Sequence, residues 1–332
     1  MVKIKNRSLL FKKILVIILS PLIFFMILEL CTRIFWNYDN NDTDTGIILS
    51  GTERNVKYKG IEYITNSYGI RNKEITHDTS ESPIILVLGD SFIWGHGLHE
   101  ESLVTTKIEN ILKKKYSEST VINTGICGYD TRDEYYQLKK LYPVYSPDHV
   151  ILFFFTNDII ERDENLKRVK LSWYLRLKEF LRKNSRFFRY CYYKYKSNIV
   201  SKYGVSSSLI PEGYKELDDN KKGWVDFKKY TLKIEKFCAN NKITFTFVII
   251  PTLIALNENY PYKELHNKVK EFVSKSDIPL IDLLPVFQHY PAEDLWINPE
   301  NTHWNDHATT LASENVSKYL LDSVINNKMI ER

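Results

Sequence analysis

The chain has 332 residues, 43% of them hydrophobic and 14% aromatic, with 46 Lys+Arg against 41 Asp+Glu and a formal net charge of +5 at pH 7. That composition excludes a disordered chain, and cations dispersed among carboxylates argue against a nucleic-acid partner. Four cysteines, Cys31, Cys127, Cys191 and Cys238, have no CxxC or other close spacing, which argues against a zinc site or a disulfide framework.

The N-terminus is "MVKIKNRSLLFKK", carrying Lys3, Lys5, Arg7, Lys12 and Lys13, followed by the uncharged run "ILVIILSPLIFFMIL" over 14–28. A bilayer core of about 30 Å takes roughly 20 helical residues. Leu9 to Phe11 extend the run while Lys12 and Lys13 snorkel to the headgroups. Beyond it, Glu29 and Arg33 stand at i,i+4, Trp36 serves as an interfacial anchor, and Pro21 permits a kink. The following "ELCTRIFWN" lacks a small-x-small cleavage site, so an uncleaved single-pass signal anchor in residues 1–36 is expected rather than a cleaved signal peptide. The positive-inside rule then puts the rest of the chain on the outer side of the cytoplasmic membrane.

Residues 37–82 are polar and turn-rich, with two short extended stretches, "NVKYKG" and "IEYITNSYGIRN", expected to form a small membrane-proximal β element or linker. From Ile84 strands alternate with helices. "IILVLG" is an unbroken apolar run, as in a strand buried on both faces of a parallel sheet. A helix over 100–116 follows, then "STVINTG" as a strand, a helix over 131–142, and "HVILFFF" as a third strand. "ITFTFVIIP" and "IPLIDL" give the fourth and fifth strands, with helices expected over 226–240 and 262–275. The closing helix starts after Asn305, a good N-cap, with Ala308, Leu311, Ala312, Val316 and Tyr319 as its apolar stripe. The alternation predicts a doubly wound, flavodoxin-like α/β domain over 83–325, with a five-stranded parallel sheet flanked by helices. A helical insertion interrupts it at 159–223, where "LSWYLRLKEFLRKNSRFFRYCYYKYKSNIV" is basic and aromatic at helical spacing. Its plain reading is a pair of amphipathic cap helices; the functional alternative is a lid or groove for anionic headgroups or an acidic glycan.

Four short stretches fall at strand ends or just ahead of the last helix: "GDSF" (89–92), "NTGICG" (123–128), "TND" (156–158) and "ENTHWN" (300–305). In a doubly wound sheet such positions converge on one crevice. A serine hydroxyl becomes a competent nucleophile only when an imidazole takes its proton, and an oxyanion needs aimed donors. Ser91 and His303 are the serine and histidine that this arrangement offers.

The order Gly-Asp-Ser, Asn-x-Gly-x-x-Gly, Asn-Asp and a late acid-x-x-His resembles the SGNH subgroup of the GDSL esterase/lipase family over residues 84–321. The resemblance implies a serine ester hydrolase without cofactor or metal, with Ser91 as nucleophile and His303 as its general base. It implies an oxyanion hole from the backbone N–H groups of Ser91 and Gly128 and the side-chain amide of Asn157, with Asp90 and Asp158 in support. The family's aspartate three residues ahead of the histidine is replaced by Glu300, which takes the role of orienting acid; two residues ahead stands Asn301, able to orient but not to neutralise an imidazolium. Phe155 replaces the glycine two residues before the block-three asparagine, which alters the pocket's shape. An ester substrate is implied, and the outer location suggests O-acetyl groups on an envelope or exported polysaccharide. Two alternatives stand beside it: an O-acyltransferase using the same residues on a glycan acceptor, and a catalytically silent anchored binding domain.

The remaining candidates read as structure. His303 and His307 stand at i,i+4 without the glutamate of a zincin helix, His96 and His99 are loop residues, and Cys127 is a small packed side chain. No GxSxG elbow surrounds Ser91, which argues against the α/β-hydrolase fold.

Overall fold

The structure is a computed structural model and describes residues 2–35, 56–58, 60–74, 83–159, 177, 180–181, 184–203, 220–257, 260–298 and 301–325. The chain forms two compact units, one of residues 1–43 with 165–196, the other of residues 44–164 with 197–332.

In the first unit, α1 (Val2–Phe35) is one helix that contains Pro21. Its Leu15–Phe35 portion, 21 residues with a mean hydropathy of 2.5, is long and apolar enough to cross a membrane by length and composition. The Glu29–Arg33 pair forms at 2.8 Å. Glu29 also accepts from Ser185 Oγ (2.8 Å) and from the backbone N–H groups of Arg186 and Phe187 (3.0 Å each), at the start of the insertion helix Arg186–Tyr203. Those two N–H groups are among the donors a helix cannot satisfy internally, and the helix dipole favours a carboxylate there. Most of the expected insertion over 159–185 and 204–219 lies outside the described residues.

The second unit opens with an antiparallel hairpin, β1 (Val56–Tyr58) and β2 (Ile61–Tyr63). It continues through β3 (Ile84–Leu88), the one-turn helix α2 (Ser91–Trp94), α3 (Val104–Lys113), β4 (Thr120–Asn123), α4 (Thr131–Tyr145) and β5 (His149–Phe154). After the insertion come α5 (Lys222–Asn240), β6 (Thr244–Ile249), α6 (Lys263–Lys275), β7 (Leu280–Asp282), a second hairpin of β8 (Trp296–Asn298) and β9 (Asn301–Trp304), and α7 (Asp306–Tyr319). The main sheet is parallel throughout with order β4-β3-β5-β6-β7. This is the doubly wound five-stranded arrangement that the alternation predicted.

Every residue of β3, β4 and β5 is buried, as expected for strands covered on both faces by helices. The chain leaves β3 towards one edge to make β4 and returns to the other side to make β5. That reversal opens a crevice at the carboxyl ends of β3 and β5, where such sheets place their ligands. The loops after Leu88 and Phe154 therefore face each other.

Three expectations are corrected. The helix over 100–116 is broken: a 3-10 turn Glu100–Ser102 is followed by Leu103 in extended conformation (φ −66°, ψ 139°), and only then by α3. Leu103 is buried, so the break turns an apolar side chain into the core. Helix α4 runs through Pro143 to Tyr145, and α5 starts at Lys222, burying Trp224 ahead of the expected start. The stretch expected to carry a small β element holds the hairpin β1–β2, and Tyr63, Ile70 and Arg71 in it are buried within the sheet-bearing unit. Asn305 does cap α7, its Oδ1 accepting from Ala308 N at 3.0 Å.

Candidate active site

β3 ends on Leu88, and Asp90 then caps α2, its Oδ1 accepting from Phe92 N at 2.9 Å. Ser91 is thereby the first residue of a short helix at the mouth of the crevice, partly exposed above the buried Phe92, Ile93 and Trp94. The β8–β9 hairpin delivers the histidine. Trp304, the last residue of β9, is buried and donates from Nε1 to the carbonyl of Phe92 at 3.0 Å. That bond sets His303 in register with Ser91. His303 Nε2 lies 2.7 Å from Ser91 Oγ, 212 residues away in sequence.

The other ring nitrogen faces Asn301: Nδ1 is 2.5 Å from Asn301 Oδ1. The same oxygen accepts from the backbone N–H of His303 at 3.3 Å. An atom that accepts from a backbone N–H must be the amide's oxygen, so the Asn301 orientation follows from the bonding. His303 therefore carries its proton on Nδ1 and presents a lone pair at Nε2 to the serine hydroxyl. Glu300, the acid expected to orient the imidazole, lies outside the described residues.

Asn157 sits in a 3-10 turn, Thr156–Ile159, at the end of β5. Its Nδ2 donates to Asp90 Oδ2 at 2.6 Å, leaving a second N–H on the same nitrogen. The Asp90 carboxylate lies 3.5 Å from Ser91 Oγ through the same oxygen. Asp90 is buried, and desolvation pushes its carboxyl up to about 6, against the hydrogen bonds from Phe92, Asn157 and Ser91, which favour the charged form. Asp158 is buried beneath the turn, its Oδ2 accepting from Phe155 N at 3.4 Å.

The loop after β4 carries the third group. Gly125 has no room for a side chain: a Cβ there would stand 2.4 Å from the backbone nitrogen of Trp94. Asn123 fixes the turn, donating from Nδ2 to Ile93 O at 2.7 Å and accepting from Gly125 N at 3.0 Å. Gly128 is a glycine for its backbone and not for space. Nothing lies within 4 Å of its notional Cβ, and what glycine supplies there is φ of +77°. Cys127 beside it is no nucleophile, since burial, with Asp90 nearby, pushes its thiol up to about 12.

Sequence reasoning missed two neighbours. His96 lies with its ring centroid 5.2 Å from that of His303. Glu134, in the first turn of α4, is fully buried, and both its oxygens lack a hydrogen-bond partner among the described residues. Burial first, then the charges of Asp158 and Asp90, raise its carboxyl well above the usual range. An acid in a helical first turn reads in sequence as an exposed dipole partner, which hid this burial. Among the described residues no group of three or more His, Cys, Asp or Glu is placed to hold a metal ion.

No family model matches this chain, and no curated protein does either. Solved structures similar to it include the acetyl xylan esterase AlAXEase (15% identity over 71% of this chain and 99% of that one, TM-score 0.45). Others are the psychrotrophic esterase EstA from Pseudoalteromonas sp. (16%, 72% and 99%, TM-score 0.42) and AlinE4, an SGNH-hydrolase family esterase (18%, 76% and 98%, TM-score 0.39). The overlap is loose, and the chemistry of the site rests on its own distances.

Proposed function

We propose that this chain is a serine ester hydrolase of the SGNH type, working through an acyl intermediate on Ser91. The observation that carries the reading is the 2.7 Å contact between Ser91 Oγ and His303 Nε2. As Oγ attacks the ester carbonyl carbon, its proton passes to Nε2, and the carbonyl oxygen takes up negative charge. Ser91 N–H, Gly128 N–H and the second N–H of Asn157 Nδ2 are the donors for that oxyanion, each such donor being worth about 2.7–4 kcal/mol where measured in serine hydrolases. Collapse breaks the bond to the alcohol oxygen, which leaves with the proton from Nε2. Water then attacks the acyl carbon, giving its proton to the same nitrogen, and Ser91 is released with the carboxylic acid.

The same reading takes α1 as an anchor in the cytoplasmic membrane, with the basic residues 3–13 inside and the catalytic unit outside. It takes as substrate an O-acetyl ester, on an envelope or exported polysaccharide. The test is a fluorophosphonate probe on the full-length chain in detergent micelles. Labelling of the wild type that is absent from Ser91→Ala, with p-nitrophenyl acetate turnover lost about 10³-fold or more in His303→Ala, supports a serine enzyme. An unlabelled wild type rejects it. Product analysis with a glycan acceptor separates transfer of the acetyl group from its release to water.

A further inference from the structure

Glu29 closes the uncharged run of α1 with a carboxylate whose acceptor positions are all filled. Oε1 accepts from Arg33 Nε (2.8 Å) and from the backbone N–H of Arg186 (3.0 Å). Oε2 accepts from Ser185 Oγ (2.8 Å) and from the backbone N–H of Phe187 (3.0 Å). Three of the four donors thus come from the insertion, 156–158 residues later in sequence. One turn back along α1, the Phe25 ring lies 6.2 Å from that of Phe187. One turn ahead, Arg186 Nη1 donates to the carbonyl of Arg33 at 3.4 Å. The start of the insertion helix is therefore seated against α1 between residues 25 and 33, within the first compact unit.

We propose that residues 177–196 are a second membrane contact of this protein, held by Glu29 in the headgroup layer beside α1 and binding anionic phospholipid there. The inference rests on the reading of α1 as a membrane anchor. With the run over 9–28 as the roughly 20 residues in hydrocarbon, Glu29 falls at the edge of the bilayer core. A carboxylate without partners is costly at that depth, and lipid tails offer no donors. The insertion supplies them, which ties the two segments together at the membrane surface. The composition of 177–196 suits that layer: seven Lys or Arg stand against one carboxylate, Glu179, among seven Phe or Tyr. Leu177, Phe180, Lys194 and Tyr195 are exposed, as is most of the apolar surface of α1. Aromatic rings settle at the bilayer interface, and cations on long stems reach lipid phosphates. A soluble acidic glycan would engage the lysines and leave Leu177 and Phe180 in water; a lipid surface takes both kinds of side chain.

Cys191 is exposed one helical turn before Lys194 and Tyr195 and takes the probe. The full-length chain carrying Cys31→Ser and Cys127→Ser keeps Cys191 as its accessible thiol, because Cys238 is buried. It is labelled with a fluorophore and reconstituted into phosphatidylcholine vesicles with or without phosphatidylglycerol. The quantity read is quenching by a lipid that carries a spin label near its headgroup. Quenching is expected to be at least twofold stronger with the anionic lipid and to lose that excess in about 0.5 M NaCl. Glu29→Ala, which removes all four bonds and leaves the apolar run intact, is expected to halve it. Equal quenching in the two vesicles, or no change in Glu29→Ala, overturns the proposal. Should Glu29→Ala not reconstitute, Glu29→Gln, which loses the charge and keeps the volume, carries the same comparison. Wild-type protein retained in the vesicles through a sodium carbonate wash, with the Cys191 probe unquenched, rejects the second contact alone. Protein that the wash removes rejects the anchor reading and this one with it.

Discussion

The imidazole of His303 is oriented by an amide: Asn301 Oδ1 sits 2.5 Å from Nδ1 and is held there by the backbone N–H of His303. A carboxylate in that place would hold the same tautomer and also stabilise the imidazolium that forms during attack. The amide does only the first. Its oxygen is fixed by a second bond, so the tautomer inversion that disables an Asp-to-Asn change in the serine-protease triad does not arise here.

Asn301→Ala is therefore expected to lower kcat about 10²-fold, the imidazole losing its orientation. Asn301→Asp is expected to keep activity within about tenfold of the wild type and to move the acid limb of the kcat/KM profile to higher pH. The sign follows because an adjacent carboxylate favours protonated imidazole, raising its pKa, so that the base is lost at a higher pH. Glu300→Gln is the companion variant: a loss of less than threefold assigns the orientation to Asn301 alone. A 10²-fold loss in Glu300→Gln with a near-silent Asn301→Ala would hand the orienting role to Glu300.

Asn157 is held by the 2.6 Å bond from its Nδ2 to Asp90, which aims the remaining N–H of that nitrogen. Removing a donor that acts on the oxyanion lowers kcat without weakening ground-state binding. Asn157→Ala should lower kcat 10²- to 10³-fold with KM changed less than threefold. A loss carried by KM instead would place Asn157 outside the oxyanion hole.

Asp90 couples the site to stability. Burial holds its carboxyl at about 6 in the folded chain, against an ordinary 3.8. Between those values the folded state binds a proton that the unfolded state does not, so this group makes folding more favourable as pH falls through 6 and less favourable as pH rises through it. From pH 7 to pH 5 the gain is about 1 kcal/mol. Urea unfolding of the wild type and Asp90→Asn at the two pH values should show that increment in the wild type only. The same protonation removes a charged acceptor from Asn157 and Ser91, so activity should fall over the range in which stability rises.

The parts legible in sequence are those written as continuous runs. Strands buried on both faces, such as Ile84–Leu88 and His149–Phe154, announce themselves by unbroken apolar stretches, and the Asn305 cap by its place before the apolar stripe. Ser91 was legible as a group at a strand end of a doubly wound sheet, and His303 as its partner through the resemblance of the four short stretches to the SGNH pattern. What hid was written across the chain. Nothing around Arg71 says that its three acceptors lie at residues 94, 95 and 98, and a partly polar stretch with short strands reads as a linker. His96 looked like a loop residue for the same reason: the ring it touches lies some two hundred positions later. The β8–β9 hairpin was missed because strands of three and four residues leave no periodicity to read.

Arg71 gives the last prediction. Its guanidinium is desolvated, which lowers its pKa to about 10, yet it stays charged at neutral pH. What it gains is a fork of bonds to three carbonyls and a stacked tyrosine face, a pattern that a lysine ammonium cannot reproduce in one geometry. Arg71→Lys keeps the charge but leaves buried carbonyls unsatisfied, at about 1–3 kcal/mol for each acceptor orphaned. The expected outcome is a lower urea midpoint together with a fall in kcat of tenfold or more, because the loop that ties Trp94 to Leu98 also carries His96 and begins at the nucleophile's helix. Arg71→Met should behave similarly, since charge without the fork is not what holds the loop. Full activity in Arg71→Lys would mean that Tyr63, whose hydroxyl accepts from Gly97 N–H at 2.9 Å, suffices, and that residues 61–72 brace the fold without shaping the site.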